Sequence, residues 1–164
     1  LLKTGTEQNP LALAMGSVRL KPDKQSKAYL VSLMDKLDFK NPVQEDELHI
    51  TLIYSKETTK EADNYKIEQR EYTINASHFD LYGDNKDCLV IAIKSEELHE
   101  KHNHLKDNGF QHSYQNYNPH ITIAFNVPEI PDNILLEELK NKKLVFSNEE
   151  MHNIKKKRKP RNKP

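Results

Sequence analysis

Apolar residues recur at helical spacing early in the chain. Tyr29, Leu30, Leu33, Met34 and Leu37 predict a helix over 23–39, with Asp23 or Ser26 as its cap. A second helix is predicted over 95–108, closed by Asn108-Gly109. Runs of β-formers predict strands at 14–20, 48–54 and 87–94. Alternating stretches near 66–75 and 77–83 precede the turn at Gly83-Asp84-Asn85, and a further strand is expected over 120–126. A short helix over 133–141 and a last strand over 144–154 complete the pattern, with 55–65 as polar loop. Strands interleaved with helices in two similar halves imply an α+β domain.

The two halves share more than element type. His49-Ile50-Thr51-Leu52-Ile53-Tyr54 and His120-Ile121-Thr122-Ile123-Ala124-Phe125 match as His, Ile, Thr, apolar, apolar, aromatic, 71 residues apart. Each follows a helix and a polar or Pro-containing turn. This is the signature of an internal duplication, and it predicts two lobes related by a pseudo-twofold axis. Strand alternation puts His49 and Thr51 on one face, with Ile50, Leu52 and Tyr54 on the other. His120 and Thr122 separate from Ile121, Ile123 and Phe125 in the same way. The apolar faces can take the helices, which leaves the His/Thr faces for a cleft between the lobes.

Two opposed imidazoles suit cleavage of a ribose phosphodiester. One neutral histidine takes the proton of the attacking hydroxyl, and one protonated histidine gives a proton to the leaving oxygen. Threonine hydroxyls can donate to non-bridging phosphate oxygens as charge builds there. The catalytic set is therefore His49, Thr51, His120 and Thr122, with no metal and no cofactor. His99 and His102 have a spacing that can hold a metal, but nothing completes a ligand set, and His78, His112 and His152 read as surface or turn residues.

Composition narrows the remaining choices. The 164 residues suit one domain. The formal charge is zero, but seven of the 25 basic residues lie in 155–164. Without that tail, 18 basic residues face 25 acidic ones, a net of −7. An acidic body favours a small substrate over a long RNA. The boundaries expected are a polar lead-in at 1–13, the domain at 14–154 and a basic, solvated tail at 155–164. That tail has the composition to contact nucleic acid, although a solvated terminus is its commoner role. The single cysteine, Cys88, excludes an intrachain disulfide and fits a reducing compartment. No apolar run is long enough to span a membrane and no secretory signal is visible. The chain begins at Leu1 rather than Met, as a processed product or an excised piece would.

With its paired His-x-Thr strands, the chain resembles the 2H phosphoesterase superfamily, which includes the RNA ligase-like cyclic phosphodiesterases. Gly16 to Leu20, Asn41-Pro42-Val43 leading into LHITLIYS, Cys88-Leu89-Val90-Ile91, and Tyr117-Asn118-Pro119-His120-Ile121-Thr122 are similar to the phage anti-CBASS cyclic-oligonucleotide hydrolases. The likeness covers roughly residues 16 to 126. It implies a bilobal 2H-phosphoesterase-like fold, with two antiparallel sheets around a central cleft and a helix outside each lobe. It implies a cyclic di- or trinucleotide immune signal as substrate, cut in the host cytoplasm at a 3′–5′ bond by the adjacent 2′-hydroxyl. An RNA-end 2′,3′-cyclic phosphodiesterase and a non-catalytic nucleotide sponge are the alternatives. The family's aromatic near the first strand is Val18 here, and no Trp precedes Cys88. Base contacts then fall to Tyr117, Tyr54, Phe79 and Tyr82, with Lys56 a candidate for phosphate. Tyr54 is the least placed of these, because alternation turns it toward the core.

Overall fold

The computed structural model describes residues 16–58 and 64–153. The expected lead-in and basic tail lie outside them. The chain runs β1 (Gly16–Pro22), α1 (Lys24–Leu37), β2 (Ile50–Ser55), β3 (Glu57–Thr58), β4 (Glu71–Tyr82), β5 (Cys88–Lys94), α2 (Glu96–Asp107), β6 (Phe110–Gln111), β7 (His120–Ala124), α3 (Ile134–Lys140) and β8 (Leu144–Asn153). Local chemistry sets the helix starts. Asp23 accepts from the Ser26 amide and Ser95 from the Leu98 amide, each satisfying a donor that the first helical turn leaves free. Asp38, in the left-handed region at φ 52°, ends α1.

Six strands form one antiparallel ring in the order β1-β2-β7-β5-β4-β8. It divides into two three-stranded lobes, β2-β1-β8 and β7-β5-β4, that join at two seams. The β4–β8 seam pairs four residues, Glu71 to Ile74 against Ser147 to Leu144. The β2–β7 seam carries the pair Ile50–Ile121. The short strands β3 and β6 pair separately. This is the α+β architecture expected from the sequence, with the sheets of the two lobes continuous through their seams.

Val18, Leu20, Ile50, Leu52, Ile53, Leu89, Ile91, Ile121 and Ile123 are buried on the apolar side of the ring. Helix α1 packs against β1, β8 and α3, and α2 against β2 and β6. Burial of these side chains supplies about 1.5–3 kcal/mol each, less the entropy of ordering them.

Four differences from the sequence expectation matter. The stretches at 66–75 and 77–83 are one strand, β4, in which Ser77 is an extra residue between the pairs Ala76–Ile93 and His78–Ala92. Strand β2 begins at Ile50, not Leu48, so His49 sits just ahead of it. Strand β7 ends at Ala124 rather than 126, because Phe125 turns its amide to the Asn41 carbonyl at 2.9 Å. Phe79, a stacking candidate, is buried in the core at 4% exposure.

Candidate active site

The antiparallel pair Ile50–Ile121 fixes the register of the two His-x-Thr segments. One residue to either side, His49 lies opposite Thr122 and Thr51 opposite His120. Both isoleucines are fully buried, so these four side chains project to the other face. Directly opposed Cβ atoms lie about 5 Å apart and diagonal ones about 7–8 Å. The two histidines are therefore diagonal neighbours, with a threonine beside each. That separation leaves room for a phosphate group between the rings.

Both imidazoles are held in the same way. His49 Nδ1 donates to the Glu47 carbonyl at 2.6 Å, and His120 Nδ1 donates to the Asn118 carbonyl at 2.7 Å. In each case the partner is two residues upstream. This fixes the tautomer that leaves the Nε2 lone pair open on each ring. Burial lowers the basicity of both. For His49 the nearby charges of Arg19 and Lys21 act the same way, and its pKa falls to about 4. His120 is lowered by burial alone, partly offset by its bond to Asn118.

The duplication extends to a β-bulge. In the β1–β2 pairing, Val18 faces Ile53 and Arg19 faces Thr51, so Leu52 is the extra residue. In the β5–β7 pairing, Leu89 faces Ala124 and Val90 faces Thr122, so Ile123 is the extra residue. The bulge stands one residue after the threonine in both copies. It resets the alternation, because two consecutive residues point into the core (Leu52 and Ile53, then Ile123 and Ala124). Tyr54 therefore returns to the His/Thr face, against the alternation read from sequence. Its ring lies 5.6 Å from that of Tyr114. Phe125 is half exposed at the corresponding place in the other lobe.

The bulges free backbone groups, and each lobe satisfies them differently. In the first, the Tyr117 hydroxyl donates to the Thr51 carbonyl at 2.8 Å and His102 Nδ1 to the Leu52 carbonyl at 2.7 Å. His112 Nδ1 accepts from the Tyr54 amide at 3.3 Å. In the second, the Val43 amide donates to the Ile123 carbonyl at 2.9 Å. Tyr117 stacks flat on His102, with centroids 4.2 Å apart, and meets His99 and His112 edge-on. Its ring and hydroxyl are thus occupied in holding Thr51 in place. His102 is buried, and His112, in the loop after β6, is partly buried. Among the described residues no three His, Cys, Asp or Glu side chains group as a metal site.

Around His120 the surroundings are less polar. Tyr82 meets its ring edge-on at 4.8 Å, and the Cys88 thiol bonds the Thr122 side chain. Lys56 is exposed just past the end of β2. Arg19 and Lys21 were missed by the sequence reading. The alternation of Val18-Arg19-Leu20-Lys21 sets them opposite the core, but only the β1–β2 register brings them beside Thr51 and His49.

Known proteins agree with this architecture. The Escherichia coli LigT structure complexed with 3′-AMP superposes with a TM-score of 0.61 at 14% identity, over 88% of this chain and 90% of that one. A crystal structure described as a phosphoesterase gives 0.58 at 14% identity, over 84% and 86%. The anti-CBASS protein Acb1 of Vibrio phage KVP40 is 31% identical over 110 residues, 66% of this chain and 70% of that protein. That of Escherichia phage RB16 is 29% identical over 104 residues, 63% of this chain but only 58% of that protein's length. The family model described as anti-CBASS protein Acb1 matches residues 17–161. The chain, with its 2H phosphoesterase fold, thus belongs to the anti-CBASS protein Acb1 family.

Proposed function

We propose that this chain is a metal-independent phosphodiesterase that opens 3′–5′ bonds of cyclic di- or trinucleotide immune signals, acting in the cytoplasm of a phage-infected bacterium. The observation that carries the reading is the matched pair of imidazoles, each with Nδ1 tied to a carbonyl and Nε2 open, across the Ile50–Ile121 pair.

The chemistry follows from that geometry. One imidazole Nε2 takes the proton of a ribose 2′-hydroxyl as its oxygen bonds to the neighbouring phosphorus. The bond from phosphorus to the 5′-oxygen breaks, and the leaving oxygen takes a proton from the other imidazole. The immediate product is a linear nucleotide ending in a 2′,3′-cyclic phosphate. The two histidines have then exchanged protonation states, so water can add to that ring by the reverse roles. Thr51 and Thr122 donate to non-bridging oxygens on either side, where charge grows in the transition state. The arriving diester anion raises the affinity of a neighbouring imidazole for its proton, which restores an acid in a site that burial alone keeps neutral. Tyr54 and Tyr82 border the cleft as surfaces for bases, and Lys56 stands at its edge.

The test is incubation with cyclic dinucleotides, cyclic trinucleotides and RNA ending in a 2′,3′-cyclic phosphate, with products read by mass spectrometry. Cleavage of the cyclic oligonucleotides supports the reading. Cleavage of the RNA end alone would assign the chain to RNA-end repair, and tight binding without cleavage would make it a sponge. A deoxyribose cyclic dinucleotide should bind uncut, and its cleavage at a comparable rate would make water the nucleophile.

A further inference from the structure

The two halves of the cleft are built on one plan but carry different neighbours. The residue facing Thr51 from the adjoining strand is Arg19, and the residue facing Thr122 is Val90. Carrying the β1–β2 register one step on puts Lys21 opposite His49, whereas Ala92 pairs with His120. Cations therefore flank one histidine and small apolar side chains the other.

Arg19 is the more unusual of the two cations. Its side chain is only 12% exposed, and its Nε is buried with no hydrogen-bond partner among the described residues. The carboxylate of Glu47 lies 3.8 Å away, beyond hydrogen-bond distance, and is itself 63% exposed. Glu150 pairs with Arg19 across β8 and is exposed. Lys21, by contrast, has its ammonium on the Asp46 carbonyl. A largely buried guanidinium with an unused Nε donor carries a desolvation penalty that Glu47, 3.8 Å away and mostly exposed, offsets only in part. An anion entering the cleft beside Thr51 would offset it, and the planar fork of Arg matches phosphate oxygens.

We propose that Arg19 is a phosphate-binding residue of the cleft, taking a non-bridging oxygen of the scissile diester and thereby making His49 the proton acceptor and His120 the donor. The inference rests on the phosphodiesterase reading above. A cation held against His49 disfavours a second positive charge there, and Lys21 acts in the same direction. Exposed Glu47 opposes both, and Glu150 and His152 complete the titratable groups that face this corner from β8. His120 has no such cation beside it, so the bound diester can hold it protonated.

The experiment compares wild type with Arg19→Met and Arg19→Lys, after circular dichroism has established which variants fold. Inorganic phosphate is titrated against each protein and followed by the imidazole NMR signals of His49. Separately, cleavage rates are measured for the two phosphorothioate diastereomers of a cyclic dinucleotide across pH. Arg19→Met should weaken phosphate binding by about 10-fold or more, the usual cost of losing a charged hydrogen bond. It should also reduce the preference between diastereomers and move the acid limb of the pH–rate profile upward. Arg19→Lys should restore part of the phosphate affinity but not the diastereomer preference. Equal phosphate affinity in wild type and a folded Arg19→Met would overturn the proposal. Should Arg19→Met not fold, an unchanged diastereomer preference in Arg19→Lys would do so. If wild type cuts no cyclic nucleotide, the phosphodiesterase reading fails while the phosphate titration still decides the role of Arg19.

Discussion

Ile50 and Ile121 pair across the seam between the lobes, and through that one pair His49 comes to lie opposite Thr122 and Thr51 opposite His120. Each threonine belongs, in space, to the histidine of the other copy. If the four act on one phosphate, His49→Ala and His120→Ala should each lower kcat by about 10²–10⁴-fold. The double variant should lose less than the product of the single losses, since the two groups act as a unit. Thr51→Ala and Thr122→Ala should cost less, because water can replace a neutral donor in part. Single-turnover rates on a cyclic dinucleotide check this, and fully multiplicative losses would count against a shared site.

Activity should persist after prolonged dialysis against EDTA. The proposed chemistry assigns every proton transfer to an imidazole and every charge contact to Thr or Arg. Loss of cleavage on chelation, with recovery on adding a divalent cation, would require a different mechanism.

The buried histidines make stability depend on pH in a definite direction. The His49 pKa falls from 6.5 to about 4 on folding. Between those values the unfolded chain binds a proton that the folded chain refuses. The contribution is therefore full above pH 6.5 and is lost as pH falls toward 4, up to about 3 kcal/mol from this group. His102, His112 and His120 are lowered too and act in the same sense. Urea unfolding midpoints should drop between pH 7.5 and 4.5. They should drop less in His49→Asn, and an equal pH dependence in that variant would contradict the assignment.

Tyr117→Phe removes the donor to the Thr51 carbonyl and leaves that oxygen in a buried bulge without its partner. The expected cost is about 1–3 kcal/mol in stability. Turnover should fall as well, because the bulge sets where Thr51 and Tyr54 point. Denaturant titration and kcat measured on one preparation separate the two effects.

Lys101 is 6% exposed and pairs with the fully buried carboxylate of Glu149 at 2.9 Å and with Glu68 at 3.0 Å. The Tyr65 hydroxyl also donates to Glu149. Lys101→Met would strand a buried negative charge, a change that typically costs about 3–5 kcal/mol. Adding Glu149→Gln to it should recover much of the loss, and thermal unfolding of the single and double variants would show whether it does.

The helices and most strands were legible in the sequence, because each rests on a local period and local caps. Asp23, one of the two cap candidates, and Ser95, the first residue of the second predicted helix, are the caps the structure uses. The repeated His-x-Thr segments were legible for the same reason, as an identity between two short strings. What the string could not carry is which strands become neighbours. Pairing joins residues far apart in the chain, so the approach of Arg19 to Thr51 leaves no local trace. Bulges are equally hidden, since an extra residue exists only relative to a partner strand. Tyr54 reads as a core residue by strict alternation, and the bulge at Leu52 returns it to the cleft. The sequence alone determined the chemical groups and their twofold plan. Tertiary structure decided the asymmetry of the site, because the flanking strands β1 and β5 bring cations to one histidine and apolar side chains to the other.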